Sequence, residues 1–179
     1  MNTTFRPIHA TEKSVIETIC QESGNPDIKQ FPNYWTRFKN WESNPPCILI
    51  DDDTKRIIGF AAFTMQKKGT YCNFYAFSVL PEFRRMGYGE RIWRCTLLLA
   101  KSMGKTRIKA GANINYSGYA FFTNKLGWKP IAKKGNEYRF DANITDVECI
   151  EDFKRIVKNQ DIPPDDELSK YKNMEECFL

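Results

Sequence analysis

The chain has 179 residues, 41% of them apolar and 14% aromatic, which excludes global disorder and bounds the fold to one domain with an appendage. Net charge is +5, concentrated at Lys67-Lys68 and from Arg84 to Lys134, while the stretch from Asp141 is acidic; this points to an anionic ligand for the middle of the chain, a phosphate-bearing coenzyme or nucleic acid. No basic-then-apolar leader opens the sequence, and the longest apolar runs, Ile57–Thr64 and Cys95–Ala100, are too short to span a bilayer, so no membrane partner and a cytoplasmic location are expected.

Thr3–Ile8 reads as a first strand. Thr11 is placed to cap a helix from Glu12 to about Gln21, with Val15, Ile16 and Ile19 on one face, and Gly24-Asn25-Pro26 ends it. Phe31–Trp41 carries five aromatic residues at helical spacing (Phe31, Tyr34, Trp35, Phe38, Trp41), with Arg37 and Lys39 between them. Core packing is the expectation, and a stacking surface for a flat or cationic substrate is the alternative. Cys47–Ile50 and Arg56–Met65 form a hairpin around the polar turn Asp51–Lys55, and a further strand runs from Thr70 to Leu80. A helix follows from about Gly87 to Met103, with Gly104 at its C-cap. Arg107–Gly111 is the next strand. Asn115 or Ser117 caps a helix through Leu126, stopped by Gly127, and strands Trp128–Ala132 and Glu137–Phe140 flank the turn Lys133–Asn136.

Beyond Asp141 the character changes. Thr145–Lys158 is amphipathic, with Val147, Ile150, Phe153 and Val157 on one stripe, and a Pro/Asp-rich break follows from Asp161 to Asp166. The helix is expected to cover the sheet or to form a homodimer contact. The division is 1–141 for the main domain and 142–179 for a C-terminal helical extension. The element order β-α-α-β-β-β-α-β-α-β-β gives an α/β fold with a mixed, mostly antiparallel central sheet and helices on both faces.

The six cysteines lack CxxC spacing and His9 is the one histidine, so no zinc set forms and free buried thiols are expected. His9 reads as a surface residue. Asp51–Asp53 reads as a solvated turn, without the ligand spacing of a calcium loop. No metal site is expected.

The segment from Phe77 to Arg94, FSVLPEFRRMGYGERIWR, carries the chemistry. A strand ends at Leu80, and Arg84-Arg85-Met86-Gly87-Tyr88-Gly89 leads into a helix. The outward N–H groups and positive end of a helix attract anions. Gly87 and Gly89 let backbone amides approach phosphate oxygens, and Arg84 and Arg85 add charged donors. The spacing is neither a Walker loop nor the dinucleotide GxGxxG.

Val79-Leu80-Pro81-Glu82-Phe83-Arg84-Arg85-Met86-Gly87-Tyr88-Gly89 resembles the V-x-P-x-x-R-x-x-G-x-G signature of the GCN5-related N-acetyltransferase (GNAT) superfamily, in register at every marked position. Lys125-Leu126-Gly127-Trp128 resembles its later K-x-G-F corner. The element order over Thr3–Phe140, about three-quarters of the chain, is similar too.

The resemblance implies a GNAT-like fold in which the fourth and fifth strands splay, and acetyl-CoA as co-substrate. The backbone of Phe77, Ser78 and Val79 would pair with the pantetheine arm. The Val79 N–H would polarise the thioester carbonyl. The amides of Arg84, Arg85, Met86, Gly87, Tyr88 and Gly89, with Glu90 opening the helix, would hold the pyrophosphate, and Asn115 joins this coenzyme set. The activity implied is N-acetyl transfer to a primary amine of a small molecule or protein by direct attack. Two further readings of the same fold are a modifier of a nucleic-acid base and a catalytically weak acyl-CoA-binding module.

The chain departs from the family at the catalytic end. Thr123 stands where the family places a tyrosine within F-Y-x-K-x-G-F, and Tyr116, seven residues earlier, stands where it places an asparagine. A threonine hydroxyl is a far weaker acid than a phenol. Tyr116, Thr123 and Tyr75 are the candidate catalytic residues, with Tyr119 nearby. The fourth strand offers no carboxylate near Tyr75, nor does Arg107–Gly111, and Glu82 is expected to face solvent.

Overall fold

One sheet, covered on both faces at its central strands, organises the molecule, whose computed structural model describes residues 3–37, 44–65 and 68–144. In chain order the elements are β1 (Thr3–Pro7), α1 (Lys13–Glu22), α2 (Pro26–Arg37), β2 (Cys47–Asp51), β3 (Ile57–Met65), β4 (Tyr71–Val79), α3 (Tyr88–Ser102), β5 (Arg107–Asn113), α4 (Ser117–Ala120), β6 (Ala132–Lys134) and β7 (Glu137–Asn143). The order is the one the sequence implies. The strands lie β1-β2-β3-β4-β5-β7-β6, with the β4–β5 pair parallel and every other pair antiparallel. Parallel neighbours need a crossover, and α3 supplies it.

The central strands read as continuous apolar runs because both faces are covered. Cys47, Leu49, Ile58 and Phe63 pack beneath α3 with Ile92, Trp93 and Leu97. Ile48, Phe60, Ala62 and Ala76 pack beneath α1 and α2 with Ile16, Ile19, Phe31 and Trp35. Phe31 and Trp35 are therefore core, as the packing reading of the aromatic segment has it: Trp35 is wholly buried and lies 5.1 Å from Phe31 between ring centroids. Phe38 and Trp41 lie outside the described residues.

Several boundaries differ from the sequence expectation for local reasons. Thr11 does not cap α1. A 3-10 turn at Ala10–Glu12 precedes the helix, and Glu12 reaches back to accept the His9 N–H at 2.9 Å. The second helix starts at Pro26 rather than Phe31: the Asn25 side chain accepts the Asp27 N–H at 2.9 Å and Pro26 holds the first helical position. Neither Asn115 nor Ser117 caps α4. The Asn115 N–H is taken by the Asn113 side chain at 3.0 Å, and Ser117 is already helical. The helix then widens into a π turn at Phe121–Lys125. Trp128 joins the aromatic core against Phe122 at 5.5 Å instead of opening a strand, so β6 is only Ala132–Lys134 and its turn shrinks to Gly135-Asn136. β5 and β7 run on to Asn113 and Asn143 because they pair with each other over seven residues. The helix expected at Thr145–Lys158, Cys149 and Cys177 lie outside the described residues.

Gly104 ends α3 in the left-handed conformation, at φ 69°. Cys20, Cys47 and Cys72 are buried and Cys95 is half-buried; burial pushes Cys20 and Cys72 up to about 12. No described helix is long and apolar enough to cross a membrane.

Candidate active site

β4 and β5 stay paired only from Tyr71/Arg107 to Phe74/Ala110. Beyond that point β4 continues to Val79 against β3, while β5 continues to Asn113 against β7. The two strands part and leave one edge of each unpaired. A bulge on β4 accompanies the parting. Ala62 pairs with Ala76 and Phe63 with Phe74, so Tyr75 is the extra residue. Its ring meets Trp35 edge-on at 5.2 Å, on the α2 side, next to Ala76, which packs on the same face.

Backbone direction along the open edge follows from one bond. The Leu80 N–H donates to Ile58 O at 2.9 Å, toward β3. Alternation then turns Ser78 toward β3 as well, and Phe77 and Val79 toward the gap. The close approach of Ser78 O to Gly59, where a Cβ would stand at 2.4 Å, agrees with this. The structure thus separates Ser78, whose side chain is also buried, from Phe77 and Val79, with which the sequence groups it.

The open edge leads into the loop before α3. Arg85 at φ 65° and Gly87 at φ 86° both adopt the left-handed region, which bends the chain into a concave turn. Arg91 makes the first bond of the helix ladder, to Gly87 O at 3.1 Å, so the amides of Gly89 and Glu90 precede the ladder. Arg85 and Met86 are exposed and Tyr88 is buried against Phe83, burial raising its phenol above the ordinary value. A Cβ on Gly89 would meet nothing closer than Phe77 Cε2 at 3.6 Å. The protein itself therefore does not require glycine there.

Arg84 behaves differently from the expectation of a phosphate donor. Its Nε donates to Val79 O at 3.0 Å and its Nη2 to Ser23 O at 2.9 Å. Two of its donor nitrogens serve the backbone. Glu90 opens α3 and pairs with Lys125 at 2.8 Å, tying the helix start to the π turn. Glu82 pairs with Arg56 at 2.8 Å and remains partly exposed. Asn115 lies exposed on the turn just after β5, the strand that forms the far wall of the gap.

The catalytic candidates are not brought together. The Thr123 hydroxyl donates back to Tyr119 O at 2.9 Å and also lies 3.2 Å from Asn124 Oδ1. Tyr119 packs on Tyr138 at 4.8 Å. Tyr116 is half-buried at the start of α4, and Tyr75 stands on the opposite face of the sheet.

On that opposite face the parting strands form a cleft of about 770 Å³. Asn73 and Tyr75 of β4, Lys109, Gly111 and Asn113 of β5, and Glu137, Arg139 and Asp141 of β7 line it, with Asp27 of α2 at the rim. The carboxylates that the fourth and fifth strands lack thus come from β7 and α2. Their alternation along Glu137–Asp141 is visible in the sequence; that β7 lies beside β5 is not. Among the described residues no group of three His, Cys, Asp or Glu is placed to hold a metal ion.

The same architecture recurs in solved proteins of low identity. The PaiA N-acetyltransferase from Thermoplasma acidophilum, in complex with coenzyme A, superposes with a TM-score of 0.64 at 13% identity, over 80% of this chain and 99% of that one. The ribosomal-protein-S18-alanine N-acetyltransferase from Escherichia coli gives 0.62 at 13% identity, over 80% and 94%. A mutant form of the spermidine/spermine N-acetyltransferase SpeG from Vibrio cholerae gives 0.61 at 11%, over 84% and 99%. No curated protein matches the chain in sequence. These likenesses show a GNAT-like fold, and residues 15–128 match the model described as the acetyltransferase (GNAT) family; the chain belongs to that family.

Proposed function

We propose that the protein is an N-acetyltransferase that moves the acetyl group of acetyl-CoA to a primary amine by direct attack. The observation that carries this reading is the unpaired β4 edge from Tyr75 to Val79, which runs straight into the left-handed turn at the start of α3. An extended amide-bearing arm fits the edge as an added strand. A pyrophosphate is assigned to the turn, to be held by the amides of Arg85, Met86, Gly87, Tyr88, Gly89 and Glu90 and by the helix dipole. The PaiA structure, with its coenzyme A, supports the same use of this fold.

In this reading the Phe77 and Val79 N–H groups hold the pantetheine, Val79 lying nearest the turn. Ser78 keeps the strand paired to β3. Arg84 fixes the Val79 carbonyl and the loop.

The bound thioester supplies an acetyl carbon open to attack. The amine nitrogen forms the new C–N bond, the C–S bond breaks, and the thiolate takes a proton. The proton lost from the amine passes to water in the cleft, beside the carboxylates of β7. Holding the two reactants at the parting strands supplies most of the acceleration. Among the phenols, Tyr116 is assigned to protonate the thiolate. Thr123 is bound to its own helix, Tyr119 is packed on Tyr138, and the Tyr75 ring turns to the α2 side against Trp35.

The test is release of free coenzyme A thiol from acetyl-CoA in the presence of a panel of primary amines. Amine-dependent release with mass-verified N-acetyl product is the expected result. Tight acetyl-CoA binding without transfer to any amine would overturn it in favour of a binding module.

A further inference from the structure

The cleft on the α2 side has a charge pattern that constrains its occupant. Five charged residues line it: carboxylates Asp27, Glu137 and Asp141, and cations Lys109 and Arg139. Asp141 is already neutralised, since Arg107 donates to its Oδ1 from Nε at 3.0 Å and from Nη2 at 2.8 Å. That leaves two carboxylates and two cations facing the same space.

The remaining charges are poorly matched to one another. Glu137 Oε1 and Arg139 Nε stand 3.7 Å apart, beyond hydrogen-bond length. Lys109 Nζ rests over the Tyr71 ring at 3.6 Å and reaches no carboxylate among the described residues. Asp27 has no ion-pair partner among them either. Both signs therefore retain unused donors and acceptors, and a ligand carrying both signs satisfies both.

One glycine sharpens the geometry. Gly111 lies on β5 just past the last β4 pair, and a Cβ there would stand 3.1 Å from Glu137 Oε1. The Glu137 carboxylate thus reaches over the β5 backbone through the space a side chain would fill, at the point where the strands part. Arg139 is the register partner of Gly111 on β7. A negative and a positive group converge on one spot at the mouth of the β4 edge.

We propose that the acceptor is a zwitterion, an amine that also carries a carboxylate or other acid group, with Glu137 receiving the ammonium, which gives one proton to cleft water before the neutral amine attacks, and Arg139 with Lys109 receiving the acid. This rests on the amine-acetyltransferase reading above and narrows its substrate class. A polyamine would place a second ammonium beside Lys109 and Arg139, where like charges repel it.

The test compares matched acceptors on the full chain by coenzyme A release: glycine against methylamine, 4-aminobutyrate against butylamine, and spermidine. The expected kcat/KM is higher for each acid-bearing member by about tenfold or more, the range one charge-assisted pair supplies. Arg139→Gln is expected to shrink that ratio about tenfold, mainly through KM, as loss of such a pair requires. Circular dichroism checks that this exposed substitution leaves the fold intact. Preference for spermidine or the acid-free amines, or a ratio unchanged in Arg139→Gln, overturns the acceptor assignment and leaves the acetyltransferase reading standing. Absence of release with every amine overturns both.

Discussion

Arg84 donates to the carbonyl of Ser23 at 2.9 Å, joining the loop before α3 to the residue that ends α1. The same guanidinium holds Val79 O at 3.0 Å. One side chain therefore links the end of the open strand, the left-handed turn and the α1–α2 layer. Its planar guanidinium presents both donors in one fixed fork.

Arg84→Gln and Arg84→Lys are both expected to lose this link. Stability falls by about 1 kcal/mol, since the bonds are charge-assisted but exposed. Acetyl-CoA affinity falls as well, because the turn loses its anchor. Thermal unfolding and calorimetric titration read the two effects; a Lys variant matching the parent in both would show that a point charge suffices.

Gly87 and Gly89 separate conformational need from ligand need. Gly87 sits at φ 86°, so Gly87→Ala strains the turn and destabilises the protein by about 1 kcal/mol. Gly89→Ala meets only Phe77 Cε2 at 3.6 Å and is expected to unfold at the parent temperature. With the loop as a phosphate cradle, the added methyl is expected to lower coenzyme affinity about tenfold or more while stability is kept. Equal affinity in Gly89→Ala would remove the loop from the binding site.

Thr123→Ala removes a hydroxyl that already bonds Tyr119 O at 2.9 Å, a back-bond to the preceding helical turn. Turnover is expected to stay within about twofold of the parent, as for a group outside the chemistry. Tyr116→Phe, by contrast, is expected to lower kcat by about a hundredfold, the low end of general acid catalysis, with little change in acetyl-CoA affinity. The reverse ranking of the two variants would return the acid role to Thr123.

Glu12 provides a pH signature unrelated to catalysis. Arg6 donates to both its oxygens, at 2.7 and 2.8 Å, and holds the carboxyl down to about 2 from its ordinary 4.5. A depressed carboxyl stabilises the fold fully above the unfolded value of 4.5, and the contribution disappears as pH falls toward 2. Glu12→Gln is expected to cost about 1–2 kcal/mol at neutral pH, after allowance for partial solvent screening, and less as pH drops through that window. Urea unfolding of parent and variant at pH 7 and pH 3 measures the difference; a pH-independent gap would contradict the ion-pair origin.

Much of this architecture is legible in the chain. The order of elements follows from period-two and helical patterning, Gly104 and Gly127 from their positions after apolar periods, and the turn before α3 from its two glycines. The misplaced boundaries share a cause. Asn25-Pro26 is read as a break, although the same residues make a good helix start, and Trp128 is read as a strand residue when it is drawn into the aromatic core by Phe122 and Trp93. Local chemistry allowed both outcomes, and packing selected one.

The sequence by itself determined the proposed coenzyme segment, because Val79 through Gly89 is one contiguous strand–turn–helix that carries its own backbone geometry. Only the tertiary structure decided the charged cleft. Asp27, Lys109, Glu137 and Arg139 come from three separated elements, and their meeting depends on β7 inserting between β5 and β6 and on β4 and β5 parting after Phe74 and Ala110. Likewise Arg84 reads as a phosphate ligand in the chain and becomes a brace in the fold, because its two carbonyl partners include Ser23, which only the packing of α1 against the sheet brings within reach. Contiguous residues carry their geometry with them; residues joined across a sheet acquire theirs from strand order.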